Sequence, residues 1–190
     1  GSFNPAHAGH RQIAEEALRC LDLDAVWWVV SPQNPLKSSQ DMATFSQRLE
    51  WARAVARHPK MRVSNLEAKF GTRYTADTLQ CFRRRYPQDR FVWLMGADNL
   101  AGFHRWRAWQ AIAARLPIAV LDRAPYGLRA LHGRFATRFA RARLSGGACR
   151  LLAGLAAPCW AYLNIPRHPL SATYLRKTLG KNAFLRHNAR

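Results

Sequence analysis

Acidic residues are scarce in this sequence. Its 190 residues include 30 lysines and arginines but only 11 aspartates and glutamates, so the formal net charge is +19 at pH 7. Such an excess predicts an anionic substrate or partner, or a generally basic surface, and does not by itself choose between them. Most of the excess is arginine, concentrated in residues 129–150 and again in residues 176–190.

Cysteine pairs and long apolar runs are also absent. The 4 cysteines are scattered without a C-x-x-C pair, which favours free thiols in a reducing cytosol over a disulfide or zinc framework. The longest apolar run, residues 151–163, is shorter than a membrane span and contains Pro158, so it predicts a core helix followed by a strand. No signal peptide is visible, and we expect a cytoplasmic protein.

The sequence does contain a regular alternation of apolar runs and amphipathic segments. Predicted strands cover residues 25–30, 61–66, 91–95, 117–121 and 160–165. Predicted helices cover residues 13–21, 44–58, 75–86, 100–116 and 129–145, with a last helix from residue 171 and a loop over residues 67–74. This order predicts an α/β protein, namely a Rossmann-like, doubly wound, mostly parallel sheet with helices on both faces. No repeat or linker divides the chain, so we expect a single domain over residues 1–190.

The first ten residues, Gly1–His10, hold the strongest candidate site. Small residues come first, a turn follows, and His7 and His10 then stand where a loop becomes the first turn of a helix. Unpaired N–H groups and the dipole at a helix start favour anions, so two imidazoles there point to phosphate chemistry. A surface pair of histidines and a metal site are the alternatives. Metal is the weaker one, because the nearest carboxylates lie further along the helix.

A loop of this kind is expected to follow the central strand of the sheet. The printed sequence starts too late to contain that strand. We therefore expect that a short N-terminal piece precedes Gly1, the alternative being a sheet that is built differently.

A second candidate segment lies at the start of the last predicted helix. Ser171 and Thr173 supply hydroxyls there, and Arg176 follows one turn inside the helix. Hydroxyls, N–H groups and a guanidinium at a helix start can hold phosphate oxygens. An ordinary serine cap with a solvated arginine is the structural alternative.

Three other candidates each have a second interpretation. Asp98, after Gly96 at a strand end, suits a ribose hydroxyl but also suits a helix cap. Trp106, with Trp109 at helical spacing, suits stacking on an aromatic ring but also suits the core. Lys37, in a loop fixed by prolines, suits a phosphate contact but also suits a plain surface position.

Five segments carry motifs in a fixed order along nearly the whole chain. They are Gly1-Ser2-Phe3-Asn4-Pro5-x-His7-x-Gly9-His10, Ser31-Pro32-x-x-Pro35-Leu36-Lys37, Tyr74-Thr75-x-Asp77-Thr78-Leu79, Gly96-x-Asp98-x-Leu100 with Trp106 and Trp109, and Ser171-x-Thr173-x-x-Arg176. In this order they resemble the motifs of the bacterial nicotinate-nucleotide adenylyltransferases. The H-x-G-H and S-x-T-x-x-R elements mark the nucleotidyltransferase superfamily. The Thr-Asp-Thr and double-Trp segments narrow the resemblance to the nicotinate enzymes.

The resemblance implies adenylyl transfer in NAD biosynthesis, in which ATP and nicotinate mononucleotide give nicotinate adenine dinucleotide and pyrophosphate. The implied catalytic residues are His7 and His10, which stabilise charge at the α-phosphate, and Arg176, which holds the departing phosphates. The implied ATP-binding residues are Ser2, Phe3, His10, Gly96, Asp98, Ser171, Thr173 and Arg176. The implied residues for the nicotinate nucleotide are Lys37, Thr75 and Trp106. Mg²⁺ is the implied cofactor, and because the motifs contain no acidic cluster, the phosphates of ATP would supply most of its ligands.

Two other functions are alternatives to adenylyl transfer to nicotinate mononucleotide. A sister transferase would act on nicotinamide mononucleotide or phosphopantetheine, or with CTP on glycerol phosphate, and only Thr75–Leu79 and Trp106 favour nicotinate. A basic nucleic-acid-binding domain would explain the net charge, but no helix-turn-helix or base-stacking pattern supports it. We interpret the arginines of residues 129–150 as a solvated face or a homo-oligomer contact. We expect neither nucleic acid nor a membrane as a partner.

Overall fold

The computed structural model describes residues 1–33, 42–122, 127–166, 168 and 172–179. Two of the predicted site residues, Lys37 and Ser171, lie outside these described residues. Their proposed roles therefore stay predictions.

The described chain alternates helices and strands, as its sequence pattern predicts. The helices are α1 (Ala8–Leu21), α2 (Phe45–Val55), α3 (Leu66–Lys69), α4 (Thr75–Arg85), α5 (Ala97–Gly102), α6 (Trp109–Arg115), α7 (Arg134–Arg138) and α8 (Ala172–Leu179). The strands are β1 (Val26–Val29), β2 (Met61–Ser64), β3 (Trp93–Gly96), β4 (Ile118–Leu121), β5 (Arg143–Leu144) and β6 (Trp160–Leu163). Short 3-10 helices cover Phe103–Arg105, Gly127–His132, Ala140–Ala142 and Gly146–Gly154. None of the helices in the described part of the chain is long and apolar enough to span a membrane.

The described residues fall into two compact units. The first comprises Gly1–Glu15, Asp24–Tyr74 and the described residues from His168 onward. The second comprises Glu16–Leu23 and the described residues between 75 and 166. The expected single domain over residues 1–190 stays a prediction.

The strand pairs of the described residues are parallel, as predicted. In the first unit β1 pairs with β2, which places Val26 opposite Met61. In the second unit the strand order is β3-β4-β6-β5, and Ile118 lies opposite both Trp93 and Trp160. Parallel strands that alternate with helices confirm the predicted α/β class.

Burial differs between the strands. β4 and β6 are buried along their whole length, which is typical of parallel strands covered on both faces. The continuous apolar run of residues 25–30 likewise predicts a strand buried on both faces, and this prediction is wrong. Trp28 is buried there, whereas its neighbours Trp27 and Val29 are only partly buried. The indole of Trp28 therefore faces inward, and buried and partly buried side chains alternate along the strand.

An aromatic cluster forms much of the core of the second unit. Phe135 packs edge-on against both Phe103 and Trp160, with ring centroids 5.3 Å apart in each pair. The indole N–H of Trp160 donates to the carbonyl oxygen of Phe139 at 2.8 Å, so its polar atom is satisfied inside the core. Edge-to-face pairs of this kind add about 0.5–1.5 kcal/mol each beyond the area that they bury.

The predicted continuous helix over residues 100–116 is wrong. The chain leaves the helical conformation at Trp106, and Ala108 takes a left-handed conformation with φ 53° before α6 begins. The Trp106 ring packs edge-on against Phe103 at 5.3 Å. This contact accompanies the break in the helix, and tertiary packing of this kind can override a weak helical propensity.

Two further predictions are wrong for similar reasons. Residues 129–145 do not form one helix: they contain only short helical segments and then β5, which pairs with β6 at the sheet edge. Gly133 interrupts the helical path with an extended backbone, φ −75° and ψ 160°. The loop predicted over residues 67–74 overlaps the turn of helix α3.

Candidate active site

The first ten residues, called the site loop below, begin beside β1. The backbone N of Gly1 donates to the carbonyl oxygen of Val29 at 2.6 Å, and the carbonyl oxygen of Gly1 accepts from the N–H of Ser31 at 2.8 Å. This is the bonding of one residue in a parallel ladder. It places the next residues at the carboxyl end of β1, which is the end where doubly wound sheets bind ligands. The further strand expected before Gly1 stays a prediction.

Phe3 shapes this loop through an uncommon backbone conformation. Its φ is 46°, in the left-handed region that bulky residues avoid, at a cost of about 1–2 kcal/mol. The ring stacks on Trp28 with centroids 4.9 Å apart and planes 20° from parallel. The stacked rings hold a backbone shape that the isolated segment would not keep.

The two histidines of the loop pack against each other where α1 begins. Their ring centroids are 3.9 Å apart, and His7 is only 1% exposed. The backbone N–H of His7 donates to Nδ1 of His10 at 3.3 Å. Nδ1 is therefore an acceptor, and a neutral His10 carries its proton on Nε2. A donor at Nε2 suits the stabilisation of a negatively charged oxygen better than the abstraction of a proton.

Arg176 brings the second predicted segment to this loop. Its Nη1 donates to the carbonyl oxygen of Asn4 at 2.5 Å, and its Nη2 donates to Oγ1 of Thr173 at 3.3 Å. Both Thr173 and Arg176 are exposed and belong to the same unit as His7 and His10. The first unit thus joins the two ends of the chain at one loop, as the motifs predict.

Arg48 is the residue at this loop that sequence reasoning missed. It projects from α2, is 1% exposed, and donates to carbonyl oxygens of four residues. Burial lowers the pKa of its guanidinium, and the nearby carboxylate of Glu67 opposes that shift. A signal was present in the sequence: Arg48 precedes Ala52 and Val55 by one and two helical turns, which puts it on the buried face of α2.

A buried hydrogen bond lies next to Arg48. The hydroxyl of Ser31 donates to Oε1 of Glu67 at 2.6 Å, and both residues are at most 9% exposed. Since Arg48 also bonds the carbonyl oxygen of Ser31 at 2.6 Å, cation, hydroxyl and carboxylate form one network. Buried charges are stable only in such pairing.

The remaining predicted residues lie in the second unit. Gly96 ends β3, and the half-buried Asp98 stands in the first turn of α5. Thr75 is the first residue of α4. Trp106 is partly buried and packs edge-on against Phe103 and, at 6.3 Å between centroids, against Trp93.

Two contacts bring the Thr75 and Trp106 segments together. Nη1 of Arg107 lies 3.2 Å from Oδ2 of Asp77 in a partly exposed ion pair. Nη1 of Arg115 donates to the carbonyl oxygen of Ala76 at 3.2 Å. The start of α4 is thus tied to the chain directly after Trp106 and to α6. Within the described residues, no group of three or more His, Cys, Asp and Glu side chains is placed to hold a metal ion.

Comparisons with known proteins agree with the motifs. The family model named cytidylyltransferase-like matches residues 1–178. A probable nicotinate-nucleotide adenylyltransferase of Brucella suis is 48% identical over 96% of this chain and 94% of its own length. One from Cereibacter sphaeroides is 51% identical over 94% of each chain. This chain belongs to the nicotinate-nucleotide adenylyltransferase family, within the cytidylyltransferase-like proteins. The family resemblance carried by the five motif segments is therefore confirmed.

A solved structure supports the predicted fold. The Plasmodium falciparum nicotinic acid mononucleotide adenylyltransferase complexed with NaAD matches with a TM-score of 0.70 and 16% identity, over 100% of this chain and 85% of the other. At that identity the likeness concerns the fold alone. It confirms the Rossmann-like α/β architecture for this family member.

Proposed function

We propose that this protein transfers the adenylyl group of ATP to nicotinate mononucleotide, giving nicotinate adenine dinucleotide and pyrophosphate in NAD biosynthesis. The observation that carries the proposal is its 48–51% identity, over nearly its whole length, to relatives named for that activity. The motif residues that lie at the carboxyl ends of the strands support it.

The chemistry needs alignment and charge stabilisation more than a base. A phosphate oxygen of the mononucleotide attacks the α-phosphorus of ATP and forms the new P–O–P bridge. The bond from the α-phosphorus to the α,β-bridging oxygen breaks, and pyrophosphate leaves with the electron pair. The attacking oxygen is already ionised, so no proton has to be removed. Positioning and electrostatic stabilisation supply most of the catalysis in such transfers.

Each residue then has a role that fits its contacts. His10 donates from Nε2 to an oxygen of the α-phosphate, and the buried His7 orders His10 through its backbone N–H. Arg176, with Thr173 beside it, holds the β- and γ-phosphates. Ser2 and Phe3 bring backbone close to the phosphates, and Ser171 and Lys37 are proposed as additional phosphate contacts.

The second unit is proposed to bind the two nucleosides. Gly96 and Asp98 would hold the adenosine, with the Asp98 carboxylate accepting from ribose hydroxyls. Trp106 would stack on the pyridine ring, and Thr75 with neighbouring N–H groups would bond the carboxylate of nicotinate. The helix start at Thr75 favours that negative charge.

Mg²⁺ is proposed to arrive as the magnesium complex of ATP. This ion keeps several waters and is usually bound through phosphates and at most one or two carboxylates. We also propose a cytosolic location, and a homo-oligomer contact for the arginine-rich residues 129–150.

A panel of acceptors tests the proposal. Pyrophosphate release is measured with MgATP and either nicotinate mononucleotide, nicotinamide mononucleotide or phosphopantetheine, and with MgCTP and glycerol phosphate, each product being identified by mass. We expect the nicotinate nucleotide to react fastest, by about tenfold or more over the amide. No release with any acceptor, or faster release with another one, would contradict the assignment.

A further inference from the structure

The guanidinium of Arg48 donates hydrogen bonds to several backbone carbonyl oxygens around the site loop. Nη1 donates to the carbonyl oxygens of Ser2 at 2.8 Å and Ser31 at 2.6 Å. Nη2 donates to the carbonyl oxygen of Pro32 at 2.6 Å, and Nε donates to that of Ala43 at 3.1 Å. One side chain of α2 thus bonds the site loop, the exit of β1 and the start of α2.

We propose that Arg48 is a positioning residue for adenylyl transfer, which sets the orientation of the Ser2–Phe3 peptide toward the phosphates of ATP. This inference rests on the proposed function. Arg48 itself would touch neither ATP nor the mononucleotide, because its side chain is buried and committed to backbone carbonyls.

The geometry of a trans peptide gives the first step. The carbonyl oxygen of one residue and the N–H of the next point in opposite directions across the peptide plane. Because the oxygen of Ser2 points to the guanidinium of Arg48, the N–H of Phe3 points away from it. The bond to Arg48 therefore fixes the direction in which that N–H is presented.

A second set of contacts makes the arrangement stiff. The N–H of Ala43 donates to Oδ1 of Asn4 at 3.0 Å, so the residue that accepts from Arg48 also holds the site loop. Arg176 bonds the carbonyl oxygen of the same Asn4 at 2.5 Å. Rotation of the Ser2–Phe3 peptide would break the bond from Arg48 to Ser2, in a loop that Ala43 and Arg176 also hold at Asn4.

The chemistry of the side chain explains why arginine is suited to this position. A guanidinium has five N–H donors in a rigid planar fork, whereas an ammonium offers three donors at a single point. Arg48 uses the fork to reach four carbonyl oxygens from three separate segments. A lysine keeps the positive charge beside Glu67 but cannot span these acceptors.

The test compares Arg48→Lys with Arg53→Lys, which removes an exposed guanidinium from the same helix. Turnover of the unmodified chain with ATP and nicotinate mononucleotide is measured first, and its absence would overturn the proposed function. In a folded Arg48→Lys we expect the Kd for ATP to rise and kcat to fall, each by about tenfold or more. The Kd for the mononucleotide should stay within about twofold, and Arg53→Lys should match the unmodified chain.

These readouts separate positioning from a general structural role. A partly unfolded sample would raise the apparent Kd values for ATP and for the mononucleotide by the same factor, so a loss of affinity confined to ATP indicates positioning. An ATP affinity and a kcat within about twofold of the unmodified chain, in a folded Arg48→Lys, would overturn the inference while leaving the proposed function intact.

A measurement on the unmodified protein covers the case in which Arg48→Lys does not fold. The ¹⁵N–¹H resonance of Phe3 is followed by NMR while α,β-methylene ATP is added. The inference expects this amide signal to shift on binding, because its N–H faces the phosphates. An unchanged Phe3 amide in a protein that binds the analogue would overturn the inference.

Discussion

Replacement of His10 by alanine tests the central chemical claim most directly. The side chain is placed to donate from Nε2, because its Nδ1 already accepts from the N–H of His7. Loss of one preorganised donor to a charge that develops in the transition state costs about 2.7–4 kcal/mol, or about 10²–10³-fold in kcat. We therefore expect His10→Ala to lose about two to three orders of magnitude in kcat, with only a modest change in the Kd for ATP.

The same replacement has a calculable effect on stability. It removes a long hydrogen bond of 3.3 Å, worth about 0.5–1 kcal/mol at most. It also removes ring contacts to His7 at 3.9 Å and Phe3 at 5.2 Å between centroids. Together we expect the free energy of unfolding to fall by about 1–2 kcal/mol, which leaves a typical domain folded at assay temperature.

Two further variants separate the two ring nitrogens. His10→Asn places an amide oxygen near the position of Nδ1, so it should recover stability but not kcat. His10→Gln extends an amide N–H₂ toward the position of Nε2, so it should recover part of kcat. A role in catalysis through Nε2 requires this order of the two variants.

The assay is the initial rate of pyrophosphate release, together with urea unfolding of each variant. His58→Ala is the matched control, because Nδ1 of His58 also accepts a backbone N–H, from Lys60 at 3.1 Å, but in the turn after α2. A folded His10→Ala with kcat within about tenfold of the unmodified chain would refute the reasoning. An equal loss in His58→Ala would do the same.

Four other predictions follow from the described contacts. Trp106→Ala should weaken the binding of the mononucleotide by about tenfold or more and the binding of ATP by about twofold at most, as measured by calorimetry. Equal losses of the two affinities would show that Trp106 does not bind the nicotinate ring. Arg176→Lys keeps the positive charge but loses the planar guanidinium that reaches both Asn4 and Thr173. Steady-state kinetics should therefore show a kcat/KM for ATP that is lower by about tenfold or more. An unchanged kcat/KM would exclude the proposed role of Arg176 in phosphate binding. Burial raises the pKa of the Cys149 and Cys159 thiols in the folded protein. As the pH rises, these thiols therefore lose their protons in the unfolded chain before they do so in the folded one. The free energy of unfolding should be independent of this effect below about pH 8.5 and should fall above it. In the native protein these two thiols should react with a thiol reagent more slowly than the other two, and equal rates would contradict their burial.

Much of the fold could be predicted because the sequence signals are local. Thr44 and Gln47 form a complete capping box at the start of α2, and such a start can be recognised from residue types alone. The apolar runs at β4 and β6 are buried on both faces, as continuous hydrophobic strands usually are.

The elements that could not be predicted depend on distant contacts. The break at Ala108 has no glycine or proline to signal it, and the contact of Trp106 with Phe103 accompanies it. β5 exists because Arg143 and Leu144 pair with β6, a partner that no local window of sequence contains. Propensity is a weak prior wherever such tertiary contacts decide.

The candidate site divides in the same way. The motifs predict that His10 and Arg176 belong to one site, and the structure places both at the site loop, while their roles stay predictions. Arg48 was missed, although its spacing to Ala52 and Val55 places it on the buried face of α2, because a buried arginine contradicts the usual preference of charged residues for the surface. The stacking of Phe3 on Trp28 was also missed, since it joins a loop to a strand that lies later in the chain.

The position of Arg48 behind the loop has a consequence for how this protein can change over evolutionary time. If Arg48 positions the site loop as proposed, the surface that meets ATP is shaped by a buried side chain that ATP does not contact. Substitutions along the buried face of α2, around Leu49 and Ala52, would shift the guanidinium. They would thereby change the affinity for the phosphates of ATP while every motif residue stays the same. Relatives with identical motifs are therefore expected to differ in ATP affinity according to how this helix is packed.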